Sequence, residues 1–462
     1  MAKSFSRQLP TQQQLYDRAP AWLQRVLVNV EAARREWFRR HGDYAALVAK
    51  HDPAFYRQPR VEQEAYQLAE LNRLLEAARQ AVPHYRATLP GGPRASLADL
   101  RRLPFLEKEQ IRRDPFAFVG DGVARRALWV RKTSGSTGTP LTFRLDRKAT
   151  RSHQAAADAM LAFYGCPYGV PRARFSGAYV APYMRTQPPF WIWIDSYQQL
   201  QCSAYHLAPQ FYPHYLRALR EARVVYGTGY PSAWHQLACY LLESGAEPPR
   251  LRAIITDSEG ISLEQQAQVE RAFGCPVYQT YGTGEIGQVA WQCAHKRYHV
   301  LTRAVMIELV DSMGSPVGPG ELGEVIATSL AGPNTPFIRY RTGDLATWAE
   351  GPCPCGLHSP SLHAIEGRLD DRLLTPDGRW VRLGGHVVRA AVGIRESQIA
   401  QVAPDQVVIR VVPGTGFDPS SMQEVIAAAH RYLGNSMHVS WQTVDRLPRT
   451  RAGKLRHVVR EL

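Results

Sequence analysis

The loop 132–140 carries groups that are well suited to bind an anion, since it reads Lys-Thr-Ser-Gly-Ser-Thr-Gly-Thr-Pro. Its two glycines and five hydroxyl residues can bring many N–H and O–H donors onto one anion. No lysine follows the second glycine, so the loop is not a Walker A motif. Taken alone, the loop could equally be a flexible turn, and the rest of the chain has to decide between the two interpretations.

The segments around this loop alternate between strand-like and helical patterns. The apolar run 127–130 precedes the loop, and the helical pattern 149–164 follows it. Further apolar runs at 251–256 and 276–279 are separated by another helical pattern. Such units predict an α/β fold, in which a large N-terminal domain has mainly parallel sheets with ligand-binding groups at the carboxyl ends of the strands. The strand and helix patterns within 398–462 predict a small α+β domain.

The charge balance favours anionic partners. The chain has 56 basic and 41 acidic residues, a net charge of +15, which attracts nucleotides, CoA, an acidic carrier protein or nucleic acid. Because no nucleic-acid-binding motif accompanies this charge, nucleic acid is the weaker interpretation. No signal peptide and no membrane-length apolar run is visible, so we expect a cytoplasmic protein without membrane contact.

The aromatic residues of the segment 172–206 leave two interpretations open. The segment contains eight Phe, Trp and Tyr residues at positions 175, 179, 183, 190, 191, 193, 197 and 205. Aromatic side chains of this number are typical of an ordinary apolar core. They could also form one wall of a pocket for an acyl or aryl group.

Four later segments complete a set of motifs with the loop 132–140. They are Tyr-Gly-Thr-Gly-Glu-Ile-Gly at 281–287, Tyr-Arg-Thr-Gly-Asp at 340–344, Glu-Gly-Arg-Leu-Asp-Asp at 366–371, and Pro-Arg-Thr-Arg-Ala-Gly-Lys-Leu-Arg at 448–456. The set, in this order, resembles the adenylate-forming superfamily of acyl-CoA synthetases and adenylation domains, and in particular its phenylacetate-CoA ligase and CapK-like branch. The resemblance covers about residues 80–462. One departure is Gly284, where the family usually has Ser or Thr, while Thr283 lies one residue earlier.

The resemblance implies a function and a domain division. The function is ATP-dependent activation of a carboxylic acid as an acyl-adenylate, with release of pyrophosphate, and transfer to a thiol or amine acceptor. The implied domains are a large ATP- and substrate-binding domain, 1–366, whose residues 1–80 form a helical N-terminal segment, and a mobile C-terminal lid, 367–462. The alternatives are an acyl- or aryl-CoA synthetase like phenylacetate-CoA ligase, or a non-catalytic nucleotide-binding relative.

The resemblance also assigns roles to individual residues. Lys454 would deliver an ammonium to the reacting groups, Glu285 would hold Mg²⁺, and Asp370 would be the hinge of the lid. The tyrosine of the second motif can stack on adenine, and the aspartate of the third can accept the ribose hydroxyls. The implied ATP-binding residues are Thr133, Ser134, Gly135, Ser136, Thr137, Gly138, Glu259, Tyr281, Gly282, Thr283, Asp344 and Arg368.

The segment 374–381 departs from the CoA ligases. Their glycine-rich continuation is replaced here by Leu-Thr-Pro-Asp-Gly-Arg-Trp-Val, which is typical of a hairpin tip. A similar segment follows the hinge in CapK-like proteins. We therefore predict that CoA is used poorly, and that a carrier-protein thiol or an amine accepts the acyl group.

Two pairs of metal-binding residue types lie close to the nucleotide motifs. One is a Cys-x-Cys turn, and the other is a cysteine followed six residues later by a histidine. Structural zinc takes four N or S ligands, and a similar arrangement is found in phenylacetate-CoA ligase-like proteins. His295 or His358 could replace His299, and buried free thiols are the alternative. The predicted zinc ligands are Cys293, His299, Cys353 and Cys355.

Overall fold

The computed structural model describes residues 12–133, 141–368, 373–381, 383, 387–388, 391, 393–450 and 453–462. Its α-helices are α1 (Gln12–Arg18), α2 (Ala21–Arg40), α3 (Tyr44–Ala49), α4 (Arg60–Ala81), α5 (Pro83–Thr88), α6 (Lys108–Arg113), α7 (Arg147–Phe163), α8 (Tyr212–Glu221), α9 (Pro231–Ser244), α10 (Leu263–Phe273) and α11 (Met422–Leu433). Short 3-10 helices lie at Pro53–Arg57, Leu97–Arg102, Arg125–Ala127, Asp195–Tyr197, Pro209–Phe211 and Pro419–Ser421. None of these described helices combines the length and the apolar character that crossing a membrane requires.

The strands alternate with these helices along the chain. They are β1 (Trp129–Lys132), β2 (Thr142–Leu145), β3 (Arg172–Ser176), β4 (Trp191–Ile194), β5 (Gln199–Ser203), β6 (Tyr226–Gly229), β7 (Ala253–Thr256), β8 (Val277–Thr283), β9 (Gly287–Gln292), β10 (Tyr298–Val300), β11 (Val305–Val310), β12 (Leu322–Ser329), β13 (Tyr340–Trp348), β14 (Ser361–Arg368), β15 (Leu373–Leu374), β16 (Trp380–Val381), β17 (Ile394–Ala403), β18 (Gln406–Pro413), β19 (His438–Thr443) and β20 (Val458–Arg460).

One large sheet carries most of the described strands. Its order is β11-β12-β13-β14-β10-β9-β8-β7-β6-β3-β5-β4. From β8 through β7, β6 and β3 to β5 all neighbours are parallel, and β4 closes that edge antiparallel. From β8 to β11 all neighbours are antiparallel. The expected α/β fold is confirmed, with the parallel pairing concentrated in the half that contains the helix crossovers. Sequence patterns did not predict the extended antiparallel half.

Close approach of β6 to its neighbours explains two glycines of this strand. A Cβ atom on Gly229, whose φ is +102°, would lie 1.9 Å from the carbonyl oxygen of Phe175. A Cβ atom on Gly227 would lie 2.4 Å from the ring of Trp234 in α9. Any larger residue would therefore push β6 away from β3 or α9. The apolar core formed by α8, α9 and this half of the sheet depends on that contact.

The C-terminal part of the chain has a small sheet and a core of its own. The sheet order is β19-β18-β17-β20, and α11 packs on it through Met422 and Val425. β15 and β16 pair as a hairpin, as the turn residues of the segment 374–381 predict. The expected small α+β domain is confirmed. The boundary between residues 366 and 367 stays a prediction.

Candidate active site

A cleft of about 1640 Å³ lies between the large sheet and the C-terminal domain. It brings together predicted site residues from five separate segments: Thr133, Glu259, Tyr281, Gly282, Thr283, Glu285, Asp344 and Lys454. The predicted residues Ser134, Gly135, Ser136, Thr137, Gly138 and Asp370 lie outside the described residues. The backbone of Arg368 pairs with that of Asp344, and its side chain is outside the described part.

Two buried carboxylates at one end of the cleft are oriented by tyrosine hydroxyl groups. The hydroxyl of Tyr281 donates to Oδ2 of Asp344 at 2.9 Å. The hydroxyl of Tyr340 donates to Oε1 of Glu285 at 2.7 Å. Asp344 and Glu285 are both less than a tenth exposed. Carboxylates that are held in this way can accept ribose hydroxyls or ligate a hard cation such as Mg²⁺. We call this part of the cleft the carboxylate end.

The turn after β8 places Glu285. The hydroxyl of Thr283 accepts a hydrogen bond from the backbone N–H of Ile286 at 3.1 Å, which closes the turn. A Cβ atom on Gly282 would lie 2.5 Å from the carbonyl oxygen of Gly287, so this crossing of β8 and β9 requires glycine. A Cβ atom on Gly284 would make only an ordinary contact, at 3.4 Å, with the ring of Phe143. Packing therefore does not require glycine at position 284, where the family usually has Ser or Thr.

Lys108 supports the strand that carries Asp344, and sequence reasoning did not identify it. Its Nζ donates to the carbonyl oxygen of Thr342 at 2.8 Å. The Thr342 hydroxyl donates to the carbonyl oxygen of Val325 at 2.8 Å and accepts from the N–H of Asp344 at 3.0 Å. The contact depends on a fold that brings residues 108 and 342 together, which no local pattern predicts.

Lys454 enters the cleft on a tight hairpin of the C-terminal domain. The N–H of Thr450 donates to the carbonyl oxygen of Lys454 at 2.9 Å, and the N–H of Lys454 donates to Oγ1 of Thr450 at 3.1 Å. Gly453 has a φ of +72°, and a Cβ atom there would lie 3.3 Å from the ring of Tyr205. The hairpin tip is thus in contact with the large domain.

Glu259 connects this hairpin to the large domain. Its Oε1 accepts from the N–H of Leu455 at 2.7 Å, and its Oε2 accepts from the N–H of Ser232 at 3.3 Å. Burial raises the pKa of Glu259, and these bonds together with the charge of Arg449 oppose that rise. Sequence reasoning assigned Glu259 to ATP; the contacts of its carboxylate are with the hairpin and with the start of α9.

Further contacts hold the C-terminal domain over the cleft. Nε2 of Gln236 donates to Oε1 of Glu396 at 2.6 Å, and Arg395 forms an ion pair with Glu243 at 3.2 Å. Arg449 forms an ion pair with Glu396 as well. These bonds join α9 to β17 and to the Lys454 hairpin, so the C-terminal domain is closed over the cleft.

The aromatic residues of the segment 172–206 belong mainly to the core. Phe175 and Phe190 are fully buried among the residues of α8 and α9. Trp191 and Trp193 pack against the same core, whereas Tyr197 lines the cleft. The cleft face of this half of the sheet instead presents arginine, glutamine, serine and threonine side chains. The interpretation as an ordinary core holds for Phe175, Phe190, Trp191 and Trp193, which are four of the eight rings.

The four predicted zinc ligands come together outside the cleft. Their donor atoms all lie within 4.8 Å of one another. Sγ of Cys293 is 3.6 Å from Sγ of Cys353, and Sγ of Cys355 is 3.2 Å from Nε2 of His299. Nδ1 of His299 lies 3.3 Å from Oγ of Ser359, which can orient the ring. Both alternative histidines, His295 and His358, are exposed, and neither belongs to this group.

Comparison with known proteins finds relatives that cover most of the chain. The family model for the CapK C-terminal domain matches residues 373–461. Protein CapK of Staphylococcus aureus is 22% identical over 80% of this chain and 82% of its own length. The phenylacetate-coenzyme A ligase of Thermus thermophilus is 26% identical over 70% of this chain and 74% of its own length.

Solved structures agree with the fold. A crystal structure of 2-hydroxyisobutyryl-CoA ligase in the postadenylation state matches with a TM-score of 0.67 and 20% identity, covering 87% of this chain and 90% of that one. The same ligase in the thioesterification state matches with a TM-score of 0.52. The chain is thus a homologue of CapK and of the phenylacetate-coenzyme A ligases, it carries a CapK C-terminal domain, and it has the fold of the adenylate-forming CoA ligases.

Proposed function

We propose that this protein activates a carboxylic acid with ATP, forms an acyl-adenylate and releases pyrophosphate. The observation that supports this most strongly is that Lys454, Glu285 and Asp344 line one cleft under a closed C-terminal domain. They come from segments that are far apart in the sequence, and each provides a group that the reaction needs. The homology to phenylacetate-coenzyme A ligases supports the same reaction.

In the proposed reaction an oxygen of the acid attacks the α-phosphorus of ATP, and pyrophosphate leaves. Negative charge builds on the oxygens around the phosphorus, and a fixed cation lowers the energy of that state. Lys454 supplies an ammonium from the hairpin, while Asp344 binds the ribose and Tyr281 stacks on adenine. Glu285 would hold Mg²⁺, which screens the charge of the phosphates when it is bound. The loop 132–140 would bind the phosphates.

The acceptor in the second step is proposed to be a carrier-protein thiol or an amine in place of CoA. The hairpin β15–β16 occupies the position in the sequence where CoA ligases continue with a glycine-rich segment. The net charge of +15 suits an acidic carrier protein, whose attraction would weaken with salt. Product analysis with CoA, hydroxylamine and an acidic acyl-carrier protein tests the choice: efficient acyl-CoA formation would contradict it.

An ATP–pyrophosphate exchange assay tests the adenylation step. A panel of carboxylic acids is offered singly, and the acyl-AMP is identified by mass spectrometry. Exchange that depends on one class of acid supports the proposal. Tight ATP binding without exchange for any acid would favour the alternative, a nucleotide-binding protein without catalysis. The glycine at position 284, where the family usually has Ser or Thr, supports that alternative.

We also propose a structural zinc at the cluster of Cys293, His299, Cys353 and Cys355. Tetrahedral zinc with Zn–S bonds near 2.3 Å separates two sulfur ligands by about 3.8 Å. The observed separation of 3.6 Å between Cys293 and Cys353 fits that value. Four protein ligands leave no position for water, which favours a structural over a catalytic role. The metal would tie the β9–β10 turn to the connection between β13 and β14.

A further inference from the structure

The half of the cleft formed by β3 and β5 has a polar floor. Arg172 and Arg174 of β3 alternate with Ala173 and Phe175, which face the apolar core. On β5, Gln199 and Gln201 pair in register with the two arginines and face the cleft in the same way. Parallel strands covered by helices are usually apolar on both faces. A fully polar face therefore indicates a surface that meets a polar ligand or water.

The two arginines of this floor differ in charge compensation. Arg174 forms a bidentate ion pair with Asp257, with distances of 2.7 and 3.0 Å. Arg172 has neutral partners: its Nε donates to Oε1 of Gln199 at 2.8 Å, and its Nη1 donates to the hydroxyl of Tyr226 at 3.4 Å. Arg172 thus makes no ion pair with a described residue, whereas Arg174 does.

The wall beside this floor adds further positive charge. Arg131 of β1 and Arg39 of α2 line the cleft, and like Arg172 neither has a carboxylate partner among the described residues. Burial, together with the charges of Arg39 and Arg35, lowers the pKa of Arg131 to about 10, so the side chain remains cationic at neutral pH. Nε of Arg39 is buried and makes no hydrogen bond within the described structure.

The helix α7 contributes a neutral donor to the same wall. Both ring nitrogens of His153 are buried and have no hydrogen-bond partner among the described residues, and the side chain lines the cleft. Burial and the charge of Arg131 lower the pKa of His153 to about 3, so the ring is neutral. An unpartnered polar group of this kind is costly unless a ligand or water completes its bonds.

We propose that the acid activated in this cleft carries a second anionic group, a carboxylate or a phosphate, which Arg172 binds. The inference deepens the proposed adenylation and rests on it. An aliphatic or aryl tail would cover this guanidinium group and remove it from water without providing a counter-charge, which is unfavourable. A second anion provides that charge and accepts the hydrogen bonds of the planar guanidinium group.

The position of Arg172 gives the length of the acid. The backbone N–H of Leu455, next to Lys454, donates to Oε1 of Glu259 at 2.7 Å, and Glu259 follows Asp257 by two residues. The reacting carboxylate is therefore expected near the pair of Asp257 and Arg174. Arg172 precedes Arg174 by two residues of β3, about 6.6 Å along the strand. Acids with two charged groups separated by several bonds fit this distance.

The test compares matched acids in the pyrophosphate exchange assay. Hexanoate, adipate and 6-phosphonohexanoate form one series, and octanoate with suberate forms a second. We expect the dianionic acid to have a kcat/KM at least about tenfold higher than its monoanionic partner, the scale of one hydrogen bond to a charged group. Comparing adipate with 6-phosphonohexanoate distinguishes a second carboxylate from a phosphate-like group.

Arg172→Gln should reduce this preference to about twofold by raising the KM for the dianion, with the KM for ATP unchanged. Arg217→Gln is the control: it removes one positive charge from the exposed side of α8 and should retain the preference for the dianionic acid. Equal use of monoanionic and dianionic acids would overturn the inference while leaving the proposed function intact. A higher KM for ATP with an unchanged acid preference would overturn it too. No exchange with any acid would overturn the proposed function itself.

Discussion

The two ends of the cleft are built from opposite charges. At the carboxylate end, Asp344 and Glu285 are held by hydroxyl groups of Tyr281 and Tyr340, so two anionic groups face the ligand. At the arginine end, around Arg172, cationic side chains are held by neutral glutamine and tyrosine groups. A cation and ribose hydroxyls suit the first end, and an anion suits the second. The contrast implies that variants at the two ends should affect different substrates.

Lys454 lines the same cleft, and its removal should have the largest effect. Lys454→Ala is expected to reduce pyrophosphate exchange by roughly 10²–10³-fold, the scale of losing one fixed electrostatic group at a transition state. The fold should be retained, because the hairpin is also held by the bonds of Thr450 and Leu455. The measurement is the exchange rate with each acid and the melting temperature.

Lys148→Ala is the matched control, because Lys148 is exposed on α7. Lys296 is a poorer control, since it forms an ion pair with Glu270 at 2.6 Å. Exchange close to that of the unmodified protein in Lys454→Ala would refute the catalytic assignment.

Asp344→Asn tests the carboxylate end alone. The amide keeps the shape of the side chain but removes the charge that would accept ribose hydroxyls. The KM for ATP should rise about tenfold, and the KM for the acid should stay within about twofold. Steady-state kinetics in both substrates measures this split, with Asp445→Asn at an exposed position of the small domain as the control. A rise confined to the KM for the acid would break the contrast between the two ends.

The two ends also differ in how far the sequence predicts them. The carboxylate end consists of short motifs that resemble those of the adenylate-forming superfamily, and that resemblance is what identified Tyr281, Glu285 and Asp344. The arginine end is formed by side chains of β3 and β5, and no local pattern predicts that these strands pair. The alternation Arg-Ala-Arg-Phe-Ser at 172–176 does signal a polar strand face. Which surface that face meets is decided only by tertiary packing.

Glu259→Gln tests whether closure of the small domain serves both ends equally. The amide is a weaker acceptor for the N–H of Leu455, so the closed arrangement should be less populated. We expect the exchange rate to fall about fivefold, with the KM values for ATP and acid changing in parallel. Glu243→Gln removes a more exposed contact of the same domain, the ion pair with Arg395, and should cost less than twofold. A larger effect for Glu243→Gln would contradict the role of Glu259.

The proposed zinc lies outside both ends and should affect stability rather than substrate preference. Protein purified without chelator is expected to contain about one zinc per chain, measured by mass spectrometry of the metal. Cys353→Ser combined with Cys355→Ser should lose that zinc and lower the melting temperature, because bound metal stabilises only the folded chain. The KM values for ATP and acid should stay unchanged in the fraction that remains folded. Cys239→Ser, a half-buried cysteine of α9 outside the cluster, should keep the metal. Absence of zinc from the unmodified protein would refute the site, and the pair of Cys293 and Cys353 would then be buried free thiols.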